Sequence, residues 1–262
     1  MTSLLSRVAI VAAGLPIVIG AAWTGGWFLF SLVTVAALVA LHELYRLARE
    51  LRPLVLAGYA GALGALIGAE LGGPAWMLGG LLVTFPLVFV FAAVSDTRQS
   101  TTVTMATTVF GASWVGLGLA HLILLRDLDP NGQDVILAVL FTVFATDTFA
   151  YIGGRIAGRH RMSPVISPGK TWEGFVTGSV FGVATSFFVL YGTAYDGWKS
   201  IVFGALVVLA AVIGDLFESL VKRDLGAKDT GRVLLGHGGV LDRIDSLLFA
   251  APVGFYALLA LF

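Results

Sequence analysis

The sequence predicts an all-α, polytopic integral membrane protein with about nine transmembrane helices. Three observations carry that prediction. Of 262 residues, 58% are hydrophobic and only 12% charged, with a mean hydropathy of +0.93; a soluble domain averages about a quarter charged residues. Nine stretches approach the roughly 20 apolar residues a bilayer core requires: 8–23, 26–41, 53–69, 74–94, 103–125, 135–153, 174–194, 199–220 and 244–262. Sorting cations by loop puts Arg7, Arg46, Arg49, Arg52, Arg98, Arg155, Arg159, Arg161, Lys170, Lys222, Arg223, Lys228, Arg232 and Arg243 on one side. That is 14 of 16, with Arg126 and Lys199 left for the other side. Basic loops stay in the cytoplasm. The N-terminus is therefore predicted cytoplasmic and the C-terminus periplasmic, across the inner (plasma) membrane.

The elements follow in order. The first apolar run comes after Arg7 and lacks a convincing small-residue cleavage site, so it reads as a retained helix rather than a signal peptide. Pro16 and Pro86 lie inside spans, where packing tolerates a kink. Trp23, Trp27 and Trp76 fall near span ends and read as interface belt residues. His42 and Glu43 close the second span beside Arg46 and read as an interfacial anchor. Arg46, Arg49 and Arg52 set topology and meet anionic lipid. The stretch 53–69 carries five glycines or prolines and is the weakest span. His121 stands alone on an apolar span and reads as a packing histidine. Residues 1–130, about five spans, form a scaffold. Residues 131–262 carry the chemistry, with cytoplasmic loops 154–173 and 221–243. Gly178 and Gly182 permit close helix packing, within one chain or between the copies of a homodimer. The absence of cysteine removes disulfides and thiolate metal sites.

Chemistry concentrates at Ser219–Asp245. Lys222, Arg223, Lys228, Arg232 and Arg243 crowd together with Asp224, Asp229, Asp242 and Asp245, around a Gly236-His237-Gly238-Gly239 turn. Cations and open backbone N–H groups suit phosphate oxygens, and carboxylates suit Mg2+. Asp147 and Asp215 lie inside spans, near their cytoplasmic ends. A carboxylate in hydrocarbon costs roughly 3 kcal/mol even on lenient insertion scales, which makes such a residue a functional candidate. Asp215, Glu218 or Ser219, and Lys222 share one helix face by their spacing, as do Asp242, Asp245 and Ser246. A ladder of this kind can hold a divalent cation between two phosphates. A structural ion pair is the plainer reading for Asp215, and a hydrogen bond to a neighbouring Thr or Tyr for Asp147.

The other loop contains ISPGKTWEG, Ile166–Gly174. Its Gly169-Lys170-Thr171 imitates a P-loop, but that pattern needs glycine at 164, where this chain has Pro164. A loop stiffened by Pro164 and Pro168 offers Ser167, Lys170 and Thr171 to phosphate, and Glu173 is placed to cap the next helix.

These residues resemble a known family. Ser219-x-Val221-Lys222-Arg223, four residues, Lys228-Asp229-x-Gly231, Leu234, then His237-Gly238-Gly239-Val240-x-Asp242-Arg243-Ile244-Asp245 looks like the C-terminal motif of the phosphatidate cytidylyltransferases. Leu235 departs from it, standing where the family usually has Pro or Gly. ISPGKTWEG and the run Asp147, Thr148, Ala150, Tyr151, Gly154 also resemble family segments, so the likeness covers roughly the second half of the chain. The resemblance implies that CTP and phosphatidic acid give CDP-diacylglycerol and pyrophosphate. It implies Mg2+ on Asp215 and Asp242, to which the spacing adds Asp245, and K+ as a second ion. For that reaction the charge pattern puts Lys222, Arg223 and His237 at the reacting phosphates, and Asp147, Ser167, Lys170, Ser219, Lys228, Asp229, Gly238, Gly239 and Arg243 in substrate binding, as expectations. Nothing points to nucleic acid as a partner.

Three other classes fit less well. An intramembrane aspartyl protease needs glycine two residues before that of its Gly-Asp pair, where this chain has Val212, and it gives the cationic loop no role. An inverted-repeat transporter shows symmetry between its halves, whereas here the chemistry crowds into the second. An enzyme consuming CDP-lipid needs an aspartate-rich run that is absent.

Overall fold

The computed structural model describes residues 14–94, 101–231 and 238–261. Arg7, Arg98, Arg232, Leu235 and His237 lie outside them. The described residues are helical apart from one small hairpin and connecting turns, and the chain is an all-α, multi-pass membrane protein. Among the described residues six segments are long and apolar enough to cross a bilayer: Gly26–Leu47, Val55–Val94, Thr101–Arg126, Gly132–Ala157, Trp198–Asp224 and Leu241–Leu261. They divide into two compact units. One gathers Met1–Leu124 and Asp229–Arg243, the other Leu125–Lys228 and Ile244–Phe262.

In the first unit, α1 (Gly14–Thr24) leads into α2 (Gly26–Leu47). Helix α3 (Val55–Leu82) is broken at Gly73, whose φ of 73° precedes Pro74. Proline removes a helical hydrogen bond and clashes with the preceding turn, and glycine takes the positive φ without strain. The chain doubles back there, so the backbones of Gly64 and Gly80 meet without room for side chains. The 40-residue apolar segment Val55–Val94, completed by α4 (Thr84–Val94), is thus a helical hairpin. The boundary falls where the sequence separates 53–69 from 74–94. Then come α5 (Thr101–Gly111), a π-helical segment (Ala112–Leu117) and α6 (Gly118–Arg126). Tyr45 of α2 ties the unit together: it is buried, donates to the Thr108 carbonyl at 2.6 Å, and packs on Gly58 and Gly111. His121 is buried and bonds the Leu117 carbonyl through Nδ1 at 2.7 Å, the packing role its sequence context predicts.

In the second unit, α7 (Gly132–Ala157) is followed by β1 (Arg161–Ser163) and β2 (Ser167–Thr171), an antiparallel pair with Arg161 opposite Thr171. Then come α8 (Trp172–Val189), α9 (Trp198–Asp224) and, from Ile244 on, α10 (Leu241–Leu261), whose first three residues belong to the first unit. Gly178 and Gly182 are buried against α7, the first on the Thr146 carbonyl and the second on the Thr146 hydroxyl. Phe149 stacks on Phe181 with ring centroids 3.8 Å apart. The small-residue stripe therefore serves packing within the chain, because only a missing Cβ lets two backbones come this close. The start of α8 corrects one expectation. Its cap is Thr171, which accepts from the Gly174 N–H at 3.1 Å. Glu173 instead reaches back to the His160 N–H and ring Nδ1, the latter at 2.6 Å.

Candidate active site

The second unit brings together residues far apart in sequence. Lys170, at the end of the hairpin, meets Asp215 of α9, with Nζ 2.8 Å from Oδ2. One turn on, Lys222 meets Glu218 at 2.6 Å, and Glu218 is almost wholly buried. Glu218 also lies in hydrogen-bond reach of Asp245, which is buried on α10 and accepts from the Ser246 N–H at 2.7 Å. Gly214 lets α9 approach the Asp245 carbonyl. Asp147 of α7 is exposed into a cavity that Lys170 also lines. Three aspartates and a glutamate thus share two lysines. Charges in so apolar a setting persist only when paired and hydrogen-bonded.

The cavity measures about 490 Å3. Its polar lining includes Asp147, Tyr151, Arg155, Arg161, Ser167 and Lys170, with apolar surface from Ala150, Phe175 and Val212. Arg155 donates to the Tyr151 hydroxyl at 2.9 Å, and Arg161 to the Pro168 carbonyl at 2.6 Å. Arg223 bonds the carbonyls of Ile166 and Ala227, linking the end of α9 to the hairpin tip. Ser219 is half-buried on α9, and Lys228 is exposed. Arg155 and Arg161 read in the sequence only as topology determinants; the i, i+4 spacing of Tyr151 and Arg155 was the available signal for one of them.

The first unit holds the remaining motif residues. Asp242, in the first turn of α10, accepts from the Thr230 N–H at 3.0 Å, the Thr230 hydroxyl at 2.9 Å and the Gly239 N–H at 2.7 Å. Gly238 has a φ of 79° and packs against the same carboxylate. Asp229 and Arg243 are exposed. Glu43 overturns its reading as an interfacial anchor: it is buried, and its two oxygens accept from the N–H groups of Val240 at 3.0 Å and Leu241 at 2.9 Å. The contact spans almost 200 positions, so only a lone acid closing an apolar helix hints at it.

Hard divalent cations take oxygen ligands, mostly carboxylates. The acids around Lys170 and Lys222 fit Mg2+ in kind, since they exceed their lysine partners in number. Among the described residues no three acids or histidines already converge as a metal cage.

A membrane enzyme with carboxylates, lysines and arginines around one cavity is built for work on phosphates, and comparison with known proteins narrows that to nucleotidyl transfer. The chain belongs to the cytidylyltransferase family, whose family model matches residues 5–262. It is 36% identical to the phosphatidate cytidylyltransferase of Mycobacterium bovis over 252 residues, 87% of this chain and 79% of the relative. It is 33% identical to that of Staphylococcus saprophyticus over 238 residues, 87% of this chain and 89% of the relative. A shorter match to that of Brucella abortus reaches 42% over 144 residues, 55% of this chain and 53% of the relative.

Proposed function

We propose that this chain transfers CMP from CTP to phosphatidic acid, giving CDP-diacylglycerol and pyrophosphate. The observation that carries the reading is the paired cluster Lys170–Asp215 and Lys222–Glu218 beside a cavity with both cationic and apolar walls, in a chain of the cytidylyltransferase family. A substrate with a phosphate head and acyl tails matches such walls.

A phosphate oxygen of phosphatidic acid attacks the α-phosphorus of CTP. The new P–O bond forms as the bond to the β-phosphate oxygen breaks, and pyrophosphate leaves with that electron pair. The attacking phosphate is already ionised near neutral pH, so no protein group needs to remove a proton. Catalysis is positioning and charge neutralisation. Lys222, Arg223 and Lys228 hold the β- and γ-phosphates, His237 and Gly238 donate hydrogen bonds to the triphosphate, and Gly239, whose N–H is held by Asp242, lets the backbone pass close to it. Ser167 and Lys170 receive the lipid phosphate, with Asp147, Ser219, Asp229 and Arg243 completing the substrate contacts. Phosphate oxygens compete with Asp215 for Lys170 and with Glu218 for Lys222, so substrate binding frees carboxylates as it occupies lysines. Asp215 and Asp242, the ligands the family resemblance implies, would hold Mg2+ together with Asp245. Such an ion supplies charge neutralisation at the transferring phosphoryl group, and K+ is the second ion on the same reading.

The topology belongs to the proposal: nine spans, the N-terminus and the site on the cytoplasmic side of the inner membrane, the C-terminus periplasmic, residues 131–262 as the catalytic region, and two copies forming a homodimer. The cation asymmetry supports the span count and the orientation. The test is release of pyrophosphate by purified protein. It is expected only with CTP, Mg2+ and phosphatidic acid together; release without the lipid, or none with all three, contradicts the proposal.

A further inference from the structure

Glu43 is a carboxylate with no ordinary reason to be where it is. It sits in α2, is 2% exposed, and pairs with no lysine or arginine among the described residues. What holds it is backbone. The first N–H groups of a helix have no partner within the helix and carry the positive end of its dipole. Glu43 takes two of them at the start of α10, Val240 and Leu241, one on each oxygen.

The fit is enforced from two further sides. A methyl on Gly231 would lie 2.6 Å from Glu43 Oε1, and a methyl on Gly239 would strike Oε2 and the Thr230 hydroxyl. Gly231 and Gly239 bracket the conspicuous turn of the sequence motif, so both ends of that turn close on one side chain. Thr230 and Gly239 are in turn bonded to Asp242. Glu43 and Asp242 therefore act as two staples on the same loop, the first contributed by a helix that the motif does not include.

We infer that Glu43 is a positioning residue for the catalytic loop: it fixes the start of α10, and through it the orientation of Asp242, without touching substrate. The inference rests on the reaction proposed above. Supporting partners of this kind typically change activity by about 10–100-fold when removed.

The experiment compares wild type, Glu43→Gln, Gly231→Ala, Glu43→Ala and the double variant Glu43→Ala with Gly231→Ala, each purified in detergent. Glutamine keeps the size but presents an N–H2 to one backbone donor. Glu43→Gln is expected to lower kcat at least about tenfold, with KM for phosphatidic acid unchanged and the melting temperature lowered by about 2–8 °C, with the protein still folded at the assay temperature. Hydrogen exchange at the Val240 and Leu241 amides is expected to quicken, a readout that stands even if wild type proves inactive on CTP; inactive wild type with quickened exchange would condemn the proposed reaction but not the clamp. Gly231→Ala, which keeps Glu43 but pushes its carboxylate off the backbone N–H groups, is expected to reproduce the kcat loss, and to cost much less once Glu43 is already alanine. Unchanged kcat and exchange in Glu43→Gln would overturn the inference. So would a kcat loss that merely follows a fall in melting temperature. Should Glu43→Gln fail to fold, Gly231→Ala alone decides: lost kcat with quickened exchange at Val240 and Leu241 supports the inference, and unchanged kcat and exchange overturn it.

Discussion

The two units handle buried acid in different ways. In the first, Asp242 and Glu43 are satisfied by backbone N–H groups and a threonine, partners the fold cannot release without moving the chain. In the second, Asp215 and Glu218 are satisfied by lysine ammonium groups on flexible stems. A backbone-bonded carboxylate is a fixed part of the structure. A lysine-paired one is exchangeable, because a phosphate can take the lysine and a cation the carboxylate. The proposed reaction draws on that difference: a rigid loop on one hand, exchangeable ion pairs on the other.

The largest effect expected from breaking this comparison is on Asp215 and Asp242. Asp215→Asn should lower kcat by at least about 100-fold, the scale of losing a key electrostatic group, while stability stays within about 1 kcal/mol because the Asp215 side chain is 34% exposed and its pair with Lys170 is open to solvent. Asp242→Asn should lose activity to a similar degree yet also cost about 1–3 kcal/mol, since a neutral amide replaces an ionised acceptor of several hydrogen bonds. Turnover assays beside thermal melts read both; equal stability loss in the two variants would erase the distinction. Next in size, Lys170→Met should raise KM for substrate about tenfold by removing one charged contact, visible in initial rates against lipid concentration. Smaller again, Thr171→Ala removes the cap of α8 and should cost about 1 kcal/mol of stability with little change in KM.

The smallest effect is a pH dependence. The His160 side chain, bonded to Glu173, holds that carboxyl down at about 2. A carboxyl depressed in the folded state contributes stability above its ordinary value, and that contribution is lost as pH falls toward the folded value. Melting curves between pH 4.5 and pH 2 should therefore fall more steeply for wild type than for Glu173→Gln.

Much of this was legible in the sequence for local reasons. The pair Glu218–Lys222 follows from i, i+4 spacing, the turn near Gly73 from the gap between the apolar stretches 53–69 and 74–94, and the close packing at Gly178 and Gly182 from missing side chains. Contacts between distant segments were not legible. Nothing in ISPGKTWEG announces a hairpin, because Arg161 closes it through a backbone carbonyl rather than a side chain. Lys170 and Asp215 are separated by 45 positions, and Glu43 reaches Val240 across 197. Periodicity encodes which face of a helix is apolar, and says nothing about which distant backbone needs an acid.

The central claim is that Asp215 exchanges a lysine for a divalent cation when substrate binds. Mn2+, as a spectroscopically visible substitute for Mg2+, can be titrated into purified protein in the presence of CTP and followed by electron paramagnetic resonance. Wild type should bind it, and Asp215→Asn should bind it at least about tenfold more weakly. Equal affinity in the two proteins would contradict the claim.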